Sequence, residues 1–318
     1  MTLEPDVDGR RVLLVAHLGK PEVRDLAGVF VAALTAQGLR VRLPREDAVD
    51  VSQETSGHVE VTDSLDDAGR DCELAIVLGG DGTILRAAEL TRESATPLLG
   101  VNLGHVGFLA EAEPEHAEAV IDAVVDRRYV AEDRLTLDVT VTHRRELLLR
   151  TFALNEASVE KGARQRMLEV VVGIDGRPLS RWGCDGVVFA TPTGSTAYNF
   201  SAGGPVVWPN VEALLMVPLS AHALFARPMV VNPDSSMAVE LLESGHPSPY
   251  PGVLWCDGRR MVDLPAGAQV EVRRAAQPVR LIRLHQRPFT DRLVAKFGLR
   301  VEGWRGAAER RRQGGVDA

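Results

Sequence analysis

Aromatic residues are scarce in this chain, at 5% of its 318 positions. Its core must therefore be built mainly from Val, Leu and Ala. Cysteine is scarcer still: Cys72, Cys184 and Cys256 lie far apart, with no C-x-x-C pair. That odd count and wide spacing exclude a disulfide framework and point to reduced thiols in a cytoplasmic compartment. A surplus of basic residues is also missing. The formal net charge of -8 argues against general affinity for nucleic acid, whose binders present broad basic surfaces. It leaves room for small anionic ligands, because a few oriented backbone N–H groups hold phosphate locally. No run approaches the ~18–20 apolar residues of a membrane span. The acidic first nine residues have no apolar core and do not read as a signal peptide. Internal repeats and heptads are absent. The expectation is a soluble cytoplasmic protein that binds neither nucleic acid nor membrane.

Apolar residues make up 45% of the chain and charged residues 25%, an ordinary globular balance over a length that suits two domains. Val12 to Ala16 is a continuous apolar run, as in a buried parallel strand. From Pro21 to Gly38, Val23, Leu26, Val29, Phe30, Ala33 and Leu34 recur at helical spacing. A short strand follows near Val41, and residues 44–70 read mostly as a polar surface insertion. The pattern then repeats. Leu74 to Leu78 is a second buried strand, Gly79 to Thr83 a tight loop, and Ile84 opens a helix. A third strand is expected at 97–102 and a helix at about 114–127. Strand–loop–helix units in series imply a parallel sheet covered by helices, with ligands at the carboxyl ends of its strands.

Beyond Tyr129 the character changes. Leu135 to Val141 alternates apolar and polar, as a half-buried antiparallel strand should. Residues 147–154, 168–174, 187–190, 237–242 and 270–272 look similar, punctuated by Asp175-Gly176, Pro233-Asp234 and Asp257-Gly258. The fold class read from this is an α/β N-terminal domain with a parallel sheet plus an all-β, sandwich-like C-terminal domain. The boundaries are 1–130 for the α/β nucleotide-binding domain and 131–286 for the β-rich domain. Residues 289–297 return to helical spacing, and 306–318 form a charged, Gly-rich tail expected to be disordered.

Four segments carry chemistry. Gly79-Gly80-Asp81-Gly82-Thr83 leaves backbone N–H groups unshielded, so the chain can approach a diphosphate closely. A carboxylate there is repelled by phosphate unless it bridges through metal or takes a proton from an attacking hydroxyl, the base role in phosphoryl transfer. The competing reading is an Asp-Gly turn that caps the helix. No Gly-Lys-Ser/Thr follows, so this is not a Walker loop. The second segment, Asn102 to Phe108, would set another glycine-lined backbone beside the first. It contains His105, which reads more simply as a solvated loop histidine. The third is Asn155-Glu156 after Leu154, suited to a purine edge and ribose hydroxyls but also common at a strand end. The fourth, Asp185 to Pro205, is a dense array of hydroxyls and glycines with one tyrosine. It offers adaptable hydrogen bonds and a stacking face, and is longer than a sandwich turn needs. His222 reads as structural, Asp257 as a hairpin turn, and Arg310 to Arg312 as solvated tail.

In this order the four segments resemble the NAD kinase family, over about Arg11 to Trp304, with wording closest to its actinobacterial branch. The resemblance implies transfer of the ATP γ-phosphoryl group to the 2′-hydroxyl of the adenosine ribose of NAD, giving NADP. It also implies a divalent cation, magnesium being the expected one, and a homo-oligomer, a dimer or tetramer. Some actinobacterial members accept polyphosphate as donor. Residues 287–305 would pack back on the first domain, and the β-rich domain would carry much of the NAD site.

Carried over by position, Asp81 is the proton acceptor, and Asp81, Gly82 and Arg86 line the dinucleotide and phosphate site. Asn155 and Glu156 hold the adenosine half, and Arg166 and Asp185 match further binding positions, Asp185 across a subunit contact. Thr196, Ala197, Tyr198, Asn199, Phe200 and Ser201 form the base and ribose wall, with Tyr198 as stacking partner. The chain departs from the family pattern at Arg259, where many members have Gln, and Arg259 is left out of the expected site. Two alternatives stay open: a lipid kinase of the diacylglycerol type, which shares the glycine loop, and a non-catalytic dinucleotide-binding regulator.

Overall fold

The computed structural model describes residues 9–17, 19–48, 58–63, 65, 68–102, 107–110, 117–162, 167–243, 249–284 and 288–300. In chain order its first part comprises β1 (Arg11–Ala16), α1 (Pro21–Ala36), β2 (Arg40–Pro44), α2 (Arg45–Ala48) and β3 (Val59–Thr62). β4 (Leu74–Leu78), α3 (Asp81–Leu90), β5 (Leu98–Val101), α4 (Ala117–Val125) and β6 (Val130–Arg134) follow. Next come β7 (Leu137–His143), β8 (Glu146–Ala153), β9 (Glu156–Lys161), β10 (Leu168–Ile174), β11 (Arg177–Cys184) and β12 (Gly186–Ala190). A 3-10 turn (Thr193–Thr196) and the single-turn helix α5 (Tyr198–Ser201) lead to β13 (Leu214–Leu219), β14 (Met229–Val231) and β15 (Met237–Leu241). The last elements are β16 (Gly252–Cys256), β17 (Arg260–Leu264), β18 (Ala268–Arg274), β19 (Val279–Arg283) and α6 (Phe289–Phe297).

The first sheet runs β3-β2-β1-β4-β5-β19-β6, parallel except for β6, which is antiparallel to β19. β1 is apolar at nearly every position because both of its faces are covered. Val12, Leu14 and Ala16 pack with α1 and α4, while Leu13 and Val15 pack with α3. The sheet takes β6 and β19 from within the stretch expected to belong to the β-rich part. Sheet pairing explains this, since an open β5 edge would leave a row of backbone groups unpaired.

Two expectations change here. Asp81, Gly82 and Thr83 are not loop: α3 begins at Asp81, directly after the extended Gly80. Nor are the described residues of 44–70 mere surface. α2 buries Asp47 against α3 and the end of β1, and β3 forms the sheet's edge.

The rest of the β-strands form two six-stranded antiparallel sheets, β11-β10-β15-β18-β7-β8 and β14-β13-β12-β9-β16-β17. They share one core: Leu137, Val139 and Val141 of the first meet Val159, Val187 and Phe189 of the second. This is the expected sandwich. Asp175 and Gly176 both take positive φ, 52° and 72°, which closes the two-residue β10–β11 hairpin. α6 ends at Gly298 in the left-handed region and touches both parts of the molecule, through Phe108 and through Phe200 and Trp208.

Candidate active site

The β4–α3 junction is built for close approach. A Cβ on Gly79 would lie 2.3 Å from the Thr83 hydroxyl, so only glycine fits as the chain turns into α3. The Gly79 N–H bonds the Val101 carbonyl at 3.0 Å, which ties the junction to the end of β5. Asp81 is the first residue of α3, where the helix N-terminus favours negative charge. Its Oδ2 accepts the Phe108 N–H and its Oδ1 the Leu109 N–H, both at 3.2 Å. Gly107 lies flat against the carboxylate; a Cβ there would meet Oδ1 at 2.4 Å. The segment after the Asn102 loop therefore acts as a latch that fixes Asp81. Each oxygen gives up one acceptor direction to it and keeps capacity for a ligand.

Arg86, on the next turn of α3, is held elsewhere. Its Nη1 bonds both Asp47 oxygens, at 2.9 and 3.0 Å, and its Nη2 reaches Glu46. Burial pushes the Asp47 carboxyl upward in pKa, and Arg86 opposes that shift. Arg86 borders a cavity of about 820 Å³ between α3 and the sandwich, together with Arg92, Arg150, Arg259 and Arg260. Asp81 does not line this cavity.

Asn155 and Glu156 are positioned by a residue first read as a turn. The buried Asp257 carboxylate accepts the backbone N–H groups of Leu154, Asn155 and Glu156, at 3.0, 2.7 and 3.3 Å, and pairs with Arg260 at 2.7 Å. Asp257 and Gly258 both have positive φ, so the tight turn and the clamp are one device. From the other side Thr191 bonds the Leu154 and Asn155 carbonyls. Gly194 packs so closely on Asn155 that a Cβ would sit 2.0 Å from its carbonyl oxygen. Leu154 itself is fully buried in the core formed with α3. Glu89 of α3 pairs with Arg259 and Arg260 at 3.0 Å each, so the Asp257 turn is tied to the helix that carries Asp81.

The Glu156 side chain is buried, and its Oε2 has no hydrogen-bond partner. Burial, then the neighbouring Asp257, pushes its pKa up to about 8, opposed only by the Tyr198 N–H. Glu156 and Tyr198 share a cavity of about 360 Å³ with Ser158, Glu160 and Trp255. Burial and a hydrogen bond to the nearby Glu160 also raise the Tyr198 hydroxyl.

The rest of the expected wall divides. Thr196, Ala197 and Tyr198 are half-buried, and Phe200 and Ser201 are exposed. Asn199 is fully buried and turned inward: its Nδ2 bonds the Ser195 and Pro205 carbonyls and secures the return of the loop. Asp185 pairs with Lys161 at 2.6 Å. His222 is exposed and joined to Gly183 through its backbone. Arg166 and His105 lie outside the described residues, as does the tail. The two halves meet at α6, where the Phe297 ring lies 5.9 Å from Phe108 of the latch and 4.6 Å from Phe200 of the tyrosine loop.

Sequence reasoning missed Asp257, Arg260, Glu89 and Phe297. The signal for Asp257 was present only as an Asp-Gly turn, and the others act through partners distant in sequence.

Two family profiles match this arrangement: the ATP-NAD kinase N-terminal domain over residues 12–129 and the ATP-NAD kinase C-terminal domain over 154–284. The chain belongs to the ATP-NAD kinase family. It is similar to NAD kinase 2 of Streptomyces coelicolor, 57% identical over 94% of this chain and 97% of that one. It is also similar to the NAD kinase of Thermobifida fusca, 56% identical over 97% and 95%. Among solved structures, the yeast NADH kinase complexed with NADH superposes with a TM-score of 0.84 at 25% identity, covering 92% of this chain and 89% of that one. An NAD kinase from Archaeoglobus fulgidus in complex with ATP gives 0.66 at 25% identity, covering 90% and 98%. The family membership decides against the lipid kinase, which shares the glycine loop and a β-rich second domain, and against a non-catalytic regulator. The chain is an ATP-dependent NAD kinase, a phosphotransferase. Among the described residues, no helix is long and apolar enough to cross a membrane.

Proposed function

We propose that Asp81 is the group that takes the proton from the acceptor hydroxyl in this reaction. The enzyme moves the γ-phosphoryl group of ATP to the 2′-hydroxyl of the adenosine ribose of NAD, and ADP leaves. A ribose hydroxyl is a poor nucleophile at neutral pH, and a fixed carboxylate within hydrogen-bond reach orients it and accepts its proton. The observation that carries this reading is the Asp81 carboxylate, clamped at the start of α3 by two backbone N–H groups with acceptor capacity to spare.

The adenosine half lies along Asn155, Glu156 and Tyr198. The unpartnered Glu156 Oε2 is an open hydrogen-bonding position in a buried wall, which supports this placement. Tyr198 offers its ring to the base, beside Thr196 and Ala197. Phe200 and Ser201 complete the rim, and Asn199 shapes the loop through its Nδ2 while its Oδ1 stays without a partner. Gly82, exposed on the first turn of α3, leaves the approach to Asp81 open. Arg86 completes the phosphate side of the site; the cleft it borders sets five arginines against Glu46, Glu89, Glu93 and Asp138. Asp185 and Arg166 complete the binding set.

Among the described residues no group of three or more His, Cys, Asp or Glu could hold a metal. The described carboxylates, thiols and imidazoles by themselves do not form a cation site. A magnesium ion would arrive on the donor phosphates, keep most of its waters and neutralise phosphate charge. The net charge of -8 and the spaced thiols support a cytoplasmic protein. Exposed Leu147 and Leu148 on β8 and Leu179 on β11, the two edge strands of one sandwich sheet, support a homo-oligomer.

The test is turnover of NAD to NADP with ATP and magnesium by Asp81→Asn, which keeps the side-chain shape but exchanges one of the two latch acceptors for an amide donor, so folding and NAD affinity are measured alongside. General-base loss should lower kcat by about 10²–10⁴-fold while NAD still binds within a few-fold of wild type. Near-normal kcat in the folded variant would make Asp81 a helix-capping residue instead.

A further inference from the structure

Arg86 is gripped from two sides by carboxylates of very different character. The Asp47 side chain is only 5% exposed, and its two oxygens accept Nη1 at 2.9 and 3.0 Å. The Glu46 side chain is 63% exposed and reaches only Nη2, at 3.2 Å. Asp47 is itself anchored, since its Oδ2 accepts the Ala16 N–H at 3.2 Å. Ala16 is the last residue of β1 and pairs in register with Leu78, directly before the Gly79–Asp81 junction. The buried carboxylate therefore ties the guanidinium of α3 to the carboxyl end of the parallel sheet, where such a sheet presents its ligands.

How the guanidinium is divided decides what it can still bind. It meets a two-oxygen anion best along the edge formed by Nε and Nη2, which matches the spacing of carboxylate or phosphate oxygens. This chain uses that edge elsewhere, from Arg10 to Glu73 and from Arg150 to Asp138. Asp47 leaves it alone. Among the described residues, the Nε–Nη2 edge of Arg86 is covered only by the one Glu46 contact. Arg86 and Glu46 both line the cavity of about 820 Å³, and Asp47 does not. Asp47 thus stands behind the guanidinium, while Glu46 stands where an anion entering from the cavity would bind.

We propose that Asp47 is a positioning residue that aims the Nε–Nη2 edge of Arg86 at a substrate phosphate, and that Glu46 is a stand-in which this phosphate displaces. The proposal rests on the reading of Arg86 as part of the phosphate side of the site. ATP and NAD both carry a diphosphate, so the chemistry recognised is a pair of phosphate oxygens on either substrate. An exposed carboxylate on one donor is a weak competitor for a phosphate that takes two. The hold from behind matters more, because a long side chain already fixed in place loses less freedom when the ligand arrives.

The two carboxylates are neighbours in sequence yet act in opposite directions, and that sets the test. Initial rates are measured for Asp47→Asn, Glu46→Gln and Arg86→Gln, with the KM for ATP and the KM for NAD determined separately. Asp47→Asn should raise one of the two KM values by about 5- to 50-fold and change kcat by less than about threefold. Glu46→Gln should lower that same KM by about 2- to 5-fold. The KM that moves tells whether the phosphate belongs to ATP or to NAD. In an Arg86→Gln background neither substitution should shift KM further. Asp47 is buried, so urea unfolding accompanies its rates; Glu46 is exposed, and its variant tests the proposal even where Asp47→Asn fails to fold. Arg86→Gln with both KM values unchanged would remove the phosphate reading and the proposal with it. Where Arg86→Gln does raise a KM, the proposal alone is overturned by a Glu46→Gln that raises that KM or leaves it unmoved. It is likewise overturned by a folded Asp47→Asn that keeps both KM values, which would make Asp47 an anchor of α2 and nothing more.

Discussion

Glu156 gives the site a pH dependence that can be measured without substrate. Its carboxyl is buried beside Asp257, with one oxygen unpartnered, and its pKa rises from 4.5 to about 8 on folding. Between those two values the folded protein holds a proton at Glu156 that the unfolded chain has released. Unfolding free energy therefore falls as pH rises through that window. The contribution of Glu156 is intact below the unfolded value and lost above the folded one. A shift of that size corresponds to at most about 5 kcal/mol, and relaxation with water entry should leave about 2–4 kcal/mol. Glu156→Gln keeps the shape and cannot ionise, so it escapes the loss. Its stability relative to wild type should rise by about 2–4 kcal/mol between about pH 5 and about pH 9, measured by urea unfolding at intermediate steps. In thermal melts the difference should widen by about 5–10 °C over the same range. Parallel pH profiles for the two proteins would refute the reasoning: Glu156 would then be solvated and ionised at neutral pH.

Two further outcomes test the walls of the same cavity. Tyr198→Ala should raise the KM for NAD by about 10- to 100-fold, from the ~1–3 kcal/mol of base stacking, while Tyr198→Phe should be mild; equal effects would assign the role to the hydroxyl. Asp257→Asn replaces an acceptor of three backbone N–H groups and Arg260 by an amide that points a donor at donors. It should cost about 2–4 kcal/mol of stability and raise the KM for NAD more than it lowers kcat, as read by unfolding and initial rates.

The central strands of the first sheet were legible because β1 and β4 are apolar at nearly every position, as two-sided burial requires, whereas β3, β6, β19 and α2 were not read. The sandwich was legible from alternation in strands such as β7, whose Leu137, Val139 and Val141 enter the core while Asp138 and Thr140 do not. Gly79 and Asp81 announced themselves by local composition, since a loop that needs glycine at close approach leaves little choice of residue. Asn199 was legible as part of an unusual loop but not in its role. Whether an amide faces ligand or the neighbouring carbonyls of Ser195 and Pro205 depends on how the loop closes.

What the sequence determined by itself was local: periodicity, turn chemistry and the order of four motifs, each set by residues within a few positions of one another. Only the tertiary structure decided how those motifs meet. The Asp257 clamp joins residues about a hundred positions apart, Glu89 ties that clamp to the helix of Asp81, and Phe297 bridges Phe108 and Phe200. Asp47 likewise meets Arg86 only where α2 packs between the end of β1 and α3. Side-chain partners this far apart leave no period or spacing to read, because their contact is fixed by sheet order and core packing.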